Sequence, residues 1–176
     1  GFARKVEQAA EADHLIAVVE QRHVARAQPR AGGDRVLAEQ RLALEVDLIG
    51  DVLQRQELAH RSAARLHSEL KTHLQISIPV IISDSFGRPW REGLTEVAIG
   101  IAGMKPLHDY RGRSDSHGYP LRITLEAVAD ELASAAGLVC GKLARTPACI
   151  IRGFAYEKDK GSGKNLIRPA KTDLFR

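Results

Sequence analysis

The chain has 176 residues, 44% of them hydrophobic and 27% charged, with a formal net charge of +4. That mixture is typical of a globular protein and argues against disorder throughout, while apolar stretches such as residues 97–103 fall far short of the roughly 20 residues a membrane helix needs. Residues 1–61 hold 9 Lys+Arg against 10 Asp+Glu of the chain's 26 and 22, so the basic excess lies wholly in the C-terminal two thirds, where it attracts anions without specifying which.

In chain order, residues 1–61 contain no Ser, Thr, Asn, Cys, Met, Trp or Tyr and are dominated by helix formers. Val6, Ala9, Ala10 and Ala17, then Val36, Leu37, Leu44, Leu48, Val52 and Leu53, keep roughly the helical period. Two helices are predicted, about 3 to 27 and 35 to 59, joined by "QPRAGGD" and with Asp34 as a cap for the second. His14, His23 and His60 stand singly among them. From Ser62 the composition changes. "SAARLHSELKTHL" reads as a helix with Ser62 as N-cap, and "ISIPVIIS" as a covered strand, apolar on both faces, in which Pro79 fits poorly at a fully paired position.

The strand runs into "DSFGRPWREG" at residues 84–93. Asp84 and Ser85 are hard oxygen donors placed at the expected strand end, Arg88 and Arg91 carry planar donor forks for phosphate or carboxylate, and Gly87 permits close backbone approach. The plainer alternative is that Asp84 and Ser85 cap a turn while Arg88 pairs with Glu92. "TEVAIGIAG" follows as a second buried strand, then a polar loop over residues 104–121, a helix from about Arg122 to Cys140 stopped by Gly141, a third strand in "TPACIIRGF" and a basic tail. The fold expected is α+β, a mixed sheet of buried strands with packed helices, preceded by an N-terminal helical segment. Cys140 and Cys149 have neither the number nor the spacing of a disulfide framework or zinc site and read as small buried hydrophobes.

Two suggestive motifs are set aside. In "KGSGKN" the first glycine of a P-loop would fall at Lys158 and its last hydroxyl at Asn165, so it reads as a flexible basic loop. "HDYRGRSDSH", with His108, Asp109, Asp115 and His117, offers metal-type side chains among turn formers.

Residues 62–176 closely resemble the coenzyme F420:L-glutamate ligase family, the gamma-glutamyl ligases acting on F420-0. "ISDSFGRPWR", "AIGIAG", "PLHDYRG", "AVADELASAA" and "IIRG" occur in the family's order and spacing, and "LIRPAKTDLFR" is similar to its ending. The resemblance implies a homodimeric, GTP-dependent ligase that joins L-glutamate to F420-0 by a gamma-linked amide bond through an acyl phosphate; a cytoplasmic location is expected by default, from the short apolar runs and from "GFARKVEQ", which carries no apolar h-region. It implies Mn²⁺ or Mg²⁺ as cofactor, with potassium as a further candidate ion, and GTP as co-substrate. By matching position, Asp84 and Ser85 resemble metal ligands, each of a different ion, and residues Val139, Cys140, Gly141, Lys142, Leu143, Ala144, Arg145 and Thr146 resemble the nucleotide-binding segment. Arg88, Arg91, Asp109 and Arg111 lie in family motifs as contacts for anionic substrate groups. No catalytic residue is singled out.

Residues 1–61 carry no such resemblance. The family's N-terminal half supplies an aspartate to the first metal and an asparagine to the nucleotide, whereas "EVDLIGD" at 45–51 shares only a Val-Asp pair. The expectation is therefore half a site, in a truncated or rearranged reading frame, with a gamma-glutamyl-ligase-like domain from residue 62 onward. Two other classes compete: an inactive fragment or interaction module of the same fold, and a basic nucleic-acid binder. One Trp and three Tyr give the last little stacking surface, so nucleic acid and membrane are not expected partners.

Overall fold

In the computed structural model the residues described are 15–20 and 37–172. They form strand β1 (Leu15–Glu20), helix α1 (Leu37–Leu74), strands β2 (Val80–Arg88), β3 (Arg91–Ala102), β4 (His108–Asp109) and β5 (Leu125–Glu126), helix α2 (Val128–Cys140), and strand β6 (Ala148–Arg152). Two short 3₁₀ turns, Gly163–Leu166 and Ala170–Thr172, follow. The main sheet has the order β3-β2-β1-β6, with β1 parallel to β2 and the other pairs antiparallel. This is the mixed α+β arrangement expected.

Each face of the sheet is covered by a helix. Ile16, Val18, Ile81, Ala98 and Ile101 join Val128, Ala129 and Leu132 of α2 in one cluster, while Ala17, Val80, Ile82 and Ala102 join Ala59 and Ala63 of α1 in the other. A strand covered on both sides needs apolar residues at consecutive positions, and "VII" at 80–82 meets that need. Pro79 sits just ahead of β2, where its missing N–H costs no ladder bond, and its carbonyl accepts from Ala17 N at 2.9 Å.

Several expected elements differ. Within the helix predicted over 3–27, residues 15–20 are a strand; the remainder lies outside the described residues. "LIAVVE" is an apolar run in which Ile16, Val18 and Val19 are β-branched, and burial from both sides selects a strand over the helical period shared by its Ala-rich surroundings. The helices predicted over 35–59 and from Ser62 are one helix of 38 residues. Nothing between Leu53 and Leu66 breaks it, and Ser62, exposed in mid-helix, is not a cap. The predicted helix of residues 122–140 begins six residues later, because Leu125 and Glu126 pair with Asp109 and His108.

Helix α1 lies unusually close to β3. A methyl group on Gly100 would stand 2.5 Å from the Ala59 carbonyl carbon and 2.9 Å from His60 N. His60 Nδ1–H donates to the Ile101 carbonyl at 3.1 Å and His67 Nδ1–H to that of Ile78 at 2.7 Å, so both rings tie the helix to the strand layer. The "KGSGKN" segment packs as a strap rather than hanging loose. Gly163 is buried, Lys160 O accepts from Gly103 N at 3.2 Å, and Lys164 pairs with Glu57 of α1 at 2.8 Å. Among the described residues, no helix is long and apolar enough to cross a membrane.

Candidate active site at the hairpin and the end of α2

β2 and β3 form a long hairpin closed by Pro89 and Trp90, the latter at φ 56°. Asp84 and Ser85 therefore lie inside β2, three or four residues before its end, rather than at the strand terminus expected from sequence. The strand continues because Phe86, Gly87 and Arg88 find partners in Thr95, Leu94 and Arg91. Successive strand residues point to opposite faces, and the register shifts fall elsewhere in the hairpin. Ser85, paired with Glu96, faces α2; Asp84, paired with Val97, faces the other way, its Oδ1 accepting from Ser85 N at 2.8 Å. The two side chains accordingly cannot close on a single ion.

On the α2 face, side chains at helical spacing hold β3 in place. Asp130 Oδ1 accepts from Ala98 N at 2.9 Å, and Ser134 Oγ donates to the Glu96 carbonyl at 2.8 Å. One turn further on, Gly137 has no side chain, and a Cβ there would be 2.5 Å from Glu96 Cγ. The Glu96 carboxyl thus lies flat against the helix, only 6% exposed. α2 ends at Cys140, with Gly141 at φ 59° returning its N–H to the Gly137 carbonyl at 3.0 Å. Lys142 then reaches back, donating to Ser85 Oγ at 2.8 Å and to Glu96 Oε1, while Ser85 Oγ donates to Glu96 Oε1 at 3.0 Å. An ammonium just past a helix C-terminus also meets the negative end of the helix dipole.

Beside these groups Val18, Ser83, Glu96, Gly137, Cys140 and Lys142 line a pocket of about 10 Å³, roughly the space of one water-sized sphere. Glu96 Oε2 is buried with no hydrogen-bond partner among the described residues. Glu96 was not singled out from the sequence. Its signal was a carboxylate inside an otherwise apolar strand, "TEVAIG", since Glu is rarely so buried unless paired.

The remaining candidates are dispersed. Of residues 139–146, Cys140, Gly141 and Lys142 line the pocket, whereas Val139 and Leu143 are exposed and Arg145 stands at φ 53°. Arg88 and Arg91 are exposed at the hairpin tip, about 10 Å along the strand from Ser85, and Arg88 donates to the Glu92 carbonyl at 3.2 Å rather than to its carboxylate. Asp109 and Arg111 grip each other, Nε to Oδ1 at 2.8 Å and Nη2 to Oδ2 at 2.5 Å, and the guanidinium holds the Asp109 carboxyl down at about 2. Asp115 Oδ1 accepts the amides of His117 and Tyr119, the work of a turn. Among the described residues, no three His, Cys, Asp or Glu groups are placed to hold a metal. Burial, together with the neighbouring Cys140 thiol, pushes the Cys149 thiol up to about 12, so it stays neutral.

Burial also raises the Asp130 carboxyl, against the opposing effect of the Ala98 amide. Its folded-state value therefore exceeds the unfolded one of 3.8. Ionised Asp130 weakens the fold at neutral pH, and the penalty disappears as pH falls through the raised value toward 3.8. Asp130→Asn keeps the acceptor oxygen and removes this dependence. Relative to the parent, the variant's urea midpoint should be higher at pH 7 than at pH 4; a gap that is constant or opposite in sign refutes the assignment.

Sheet, hairpin and helix end together define an α+β domain with a small charged cleft where a strand hydroxyl, a buried carboxylate and an ammonium meet. A family model described as F420-0:Gamma-glutamyl ligase matches residues 50–153. The chain belongs to that family. It is 44% identical over 118 residues to the coenzyme F420:L-glutamate ligase of Methanothermobacter thermautotrophicus, covering 65% of this chain and 47% of the relative. The protein of the same name from Methanocaldococcus jannaschii is 42% identical over 116 residues, 65% and 47% of the two chains. That from Methanopyrus kandleri is 42% identical over 132 residues, 72% and 52%. The chain spans about half the length of the curated relatives it matches.

Proposed function

We propose that this chain contributes the hairpin and helix-end half of a GTP-dependent ligase that joins L-glutamate to F420-0. The observation that carries the proposal is the convergence of Ser85, from the motif resembling the metal ligands, with Lys142, from the segment resembling the nucleotide site. In the proposed reaction a carboxylate oxygen of F420-0 takes the γ-phosphoryl group of GTP and GDP leaves. The glutamate amine then attacks the acyl carbon, phosphate departs, and the amine gives up a proton.

Such phosphoryl transfer depends on positioning and charge neutralisation more than on covalent chemistry by the protein. Ser85 Oγ and the Glu96 carboxylate are hard oxygen donors, and Glu96 Oε2, without a hydrogen-bond partner among the described residues, is a fitting contact for Mg²⁺ or Mn²⁺. Mg²⁺ sites are commonly built from one or two carboxylates completed by substrate phosphates. A bound divalent ion would supply charge neutralisation at the phosphates; potassium is part of the same proposal. Lys142 would offer a further cation to the phosphate, and Asp84 would hold a second ion on the opposite face of β2.

We include a homodimer in the proposal. Phe86, Trp90 and Leu94, all exposed on the hairpin, give it apolar surface of the kind that marks interfaces, and sedimentation velocity reads the state directly.

The test is GTP- and Mn²⁺-dependent formation of glutamylated F420-0, followed by mass spectrometry, together with calorimetry of GTP binding. Asp84→Ala, which removes the ligand of the second ion and leaves the Ser85 and Glu96 donors in place, is expected to weaken metal-dependent GTP binding. Absence of product from the parent chain, or unchanged metal dependence in the variant, counts against the ligase. A second reading, a binding module of the same fold without turnover, draws on the pocket's size, which admits an ion and not a nucleotide. Metal-dependent GTP binding without product favours it.

A further inference from the structure

The ion pair at the cleft is lopsided. Glu96 is fixed by β3, by Ser134 at its carbonyl and by the bare Cα of Gly137, and its side chain is 6% exposed. Lys142 stands on a four-carbon stem beyond the end of α2 and is 56% exposed. A buried carboxylate must keep a cation beside it, because an uncompensated buried charge is costly. An exposed lysine has no such obligation. The anion is thus permanent and the cation replaceable. Ser85 Oγ and Glu96 Oε1 already bind a positive group, and Glu96, which lines the same small pocket, has its buried Oε2 without a hydrogen-bond partner among the described residues.

We propose that Ser85 and Glu96 form a single cation seat for which the Lys142 ammonium and a divalent metal ion compete. In the free protein the ammonium occupies it and keeps the buried carboxylate compensated. When an ion enters, carried by a polyphosphate, Lys142 is displaced and its ammonium becomes available to that same phosphate. Glu96 is then a metal-facing residue and Lys142 an exchangeable internal counter-ion. This rests on the reading of Ser85 as metal-facing given above.

The competition is read by Mn²⁺ titration of the full chain without nucleotide, following free Mn²⁺ by electron paramagnetic resonance. A site whose competent state is rarely open binds more weakly by that fraction, so Lys142→Met, which vacates the seat, is expected to tighten Mn²⁺ binding about tenfold. Glu96→Gln is expected to weaken it by about tenfold or more. Melting supplies a second readout. In chelator the Lys142→Met variant should melt below the parent, its carboxylate uncompensated, and Mn²⁺ should raise its melting temperature more than the parent's. Unchanged or weaker Mn²⁺ binding by Lys142→Met, an unaffected Glu96→Gln, or equal thermal gains from Mn²⁺ would overturn the proposal. If both variants shift as expected while no glutamylated product forms, cation exchange stands and the ligase reading falls. If product forms and Lys142→Met binds no tighter, the reverse holds.

Discussion

Replacing Gly100 with alanine is expected to cost about 3 kcal/mol, the upper part of the usual range for overpacking, and to lower the melting temperature by about 6–12 °C for a domain of this size. The added methyl would press on the Ala59 carbonyl and on His60 N. Both are backbone atoms of α1, so neither can rotate away. The helix would have to lift from β3, and the His60 bond to the Ile101 carbonyl would lengthen with it. Gly137 makes the contrast, since its nearest neighbour is the Glu96 side chain rather than the backbone of another element. Thermal melts by circular dichroism check the expectation; a change of less than about 2 °C would show that the two layers are not in the close register described here.

The second large effect is expected at Ile81. Its side chain is 0% exposed, and its strand neighbours are Val18 of β1 and Ile101 of β3, all three in the cluster under α2. Ile81→Ala leaves a cavity that three strands and a helix can only partly close, at a cost of about 3–4 kcal/mol. Ile123, 89% exposed, is the control, where truncation should change stability by no more than about 0.5 kcal/mol. Urea midpoints measured side by side decide the matter, and a similar loss at both positions would contradict the assigned core.

The strands that could be read in advance were those whose β-branched runs are bounded by turn residues: Val80 to Ile82 before the Pro89–Trp90 turn, Val97 to Ala102 before Gly103, and Cys149 to Ile151 before Gly153. Residues 15–20 are equally apolar, yet they lie among Ala, Glu, Gln and Arg, where a 3.6-residue stripe and a buried strand look alike over so short a span. The change of composition at Ser62 is real but has no structural counterpart, because a helix crosses it without a break and the family match begins ahead of it at residue 50. Ser85 and Lys142 were legible as residue types suited to metal and phosphate. Glu96 was not, since what makes it part of the cleft is its pairing across the hairpin with Ser85 and the missing side chain at Gly137, both products of register and packing.

β1 lies between β2 and β6, and β6 has no other strand partner among the described residues. Ala17 faces Val80 on one side and Ile150 on the other. The β2–β3 hairpin is local and can form as soon as its turn is made, whereas both pairings of β1 close long loops, the slow part of assembling a sheet. During synthesis one edge of the earliest described strand therefore waits for the last, and it stays unpaired until residues 148–152 have emerged from the ribosome.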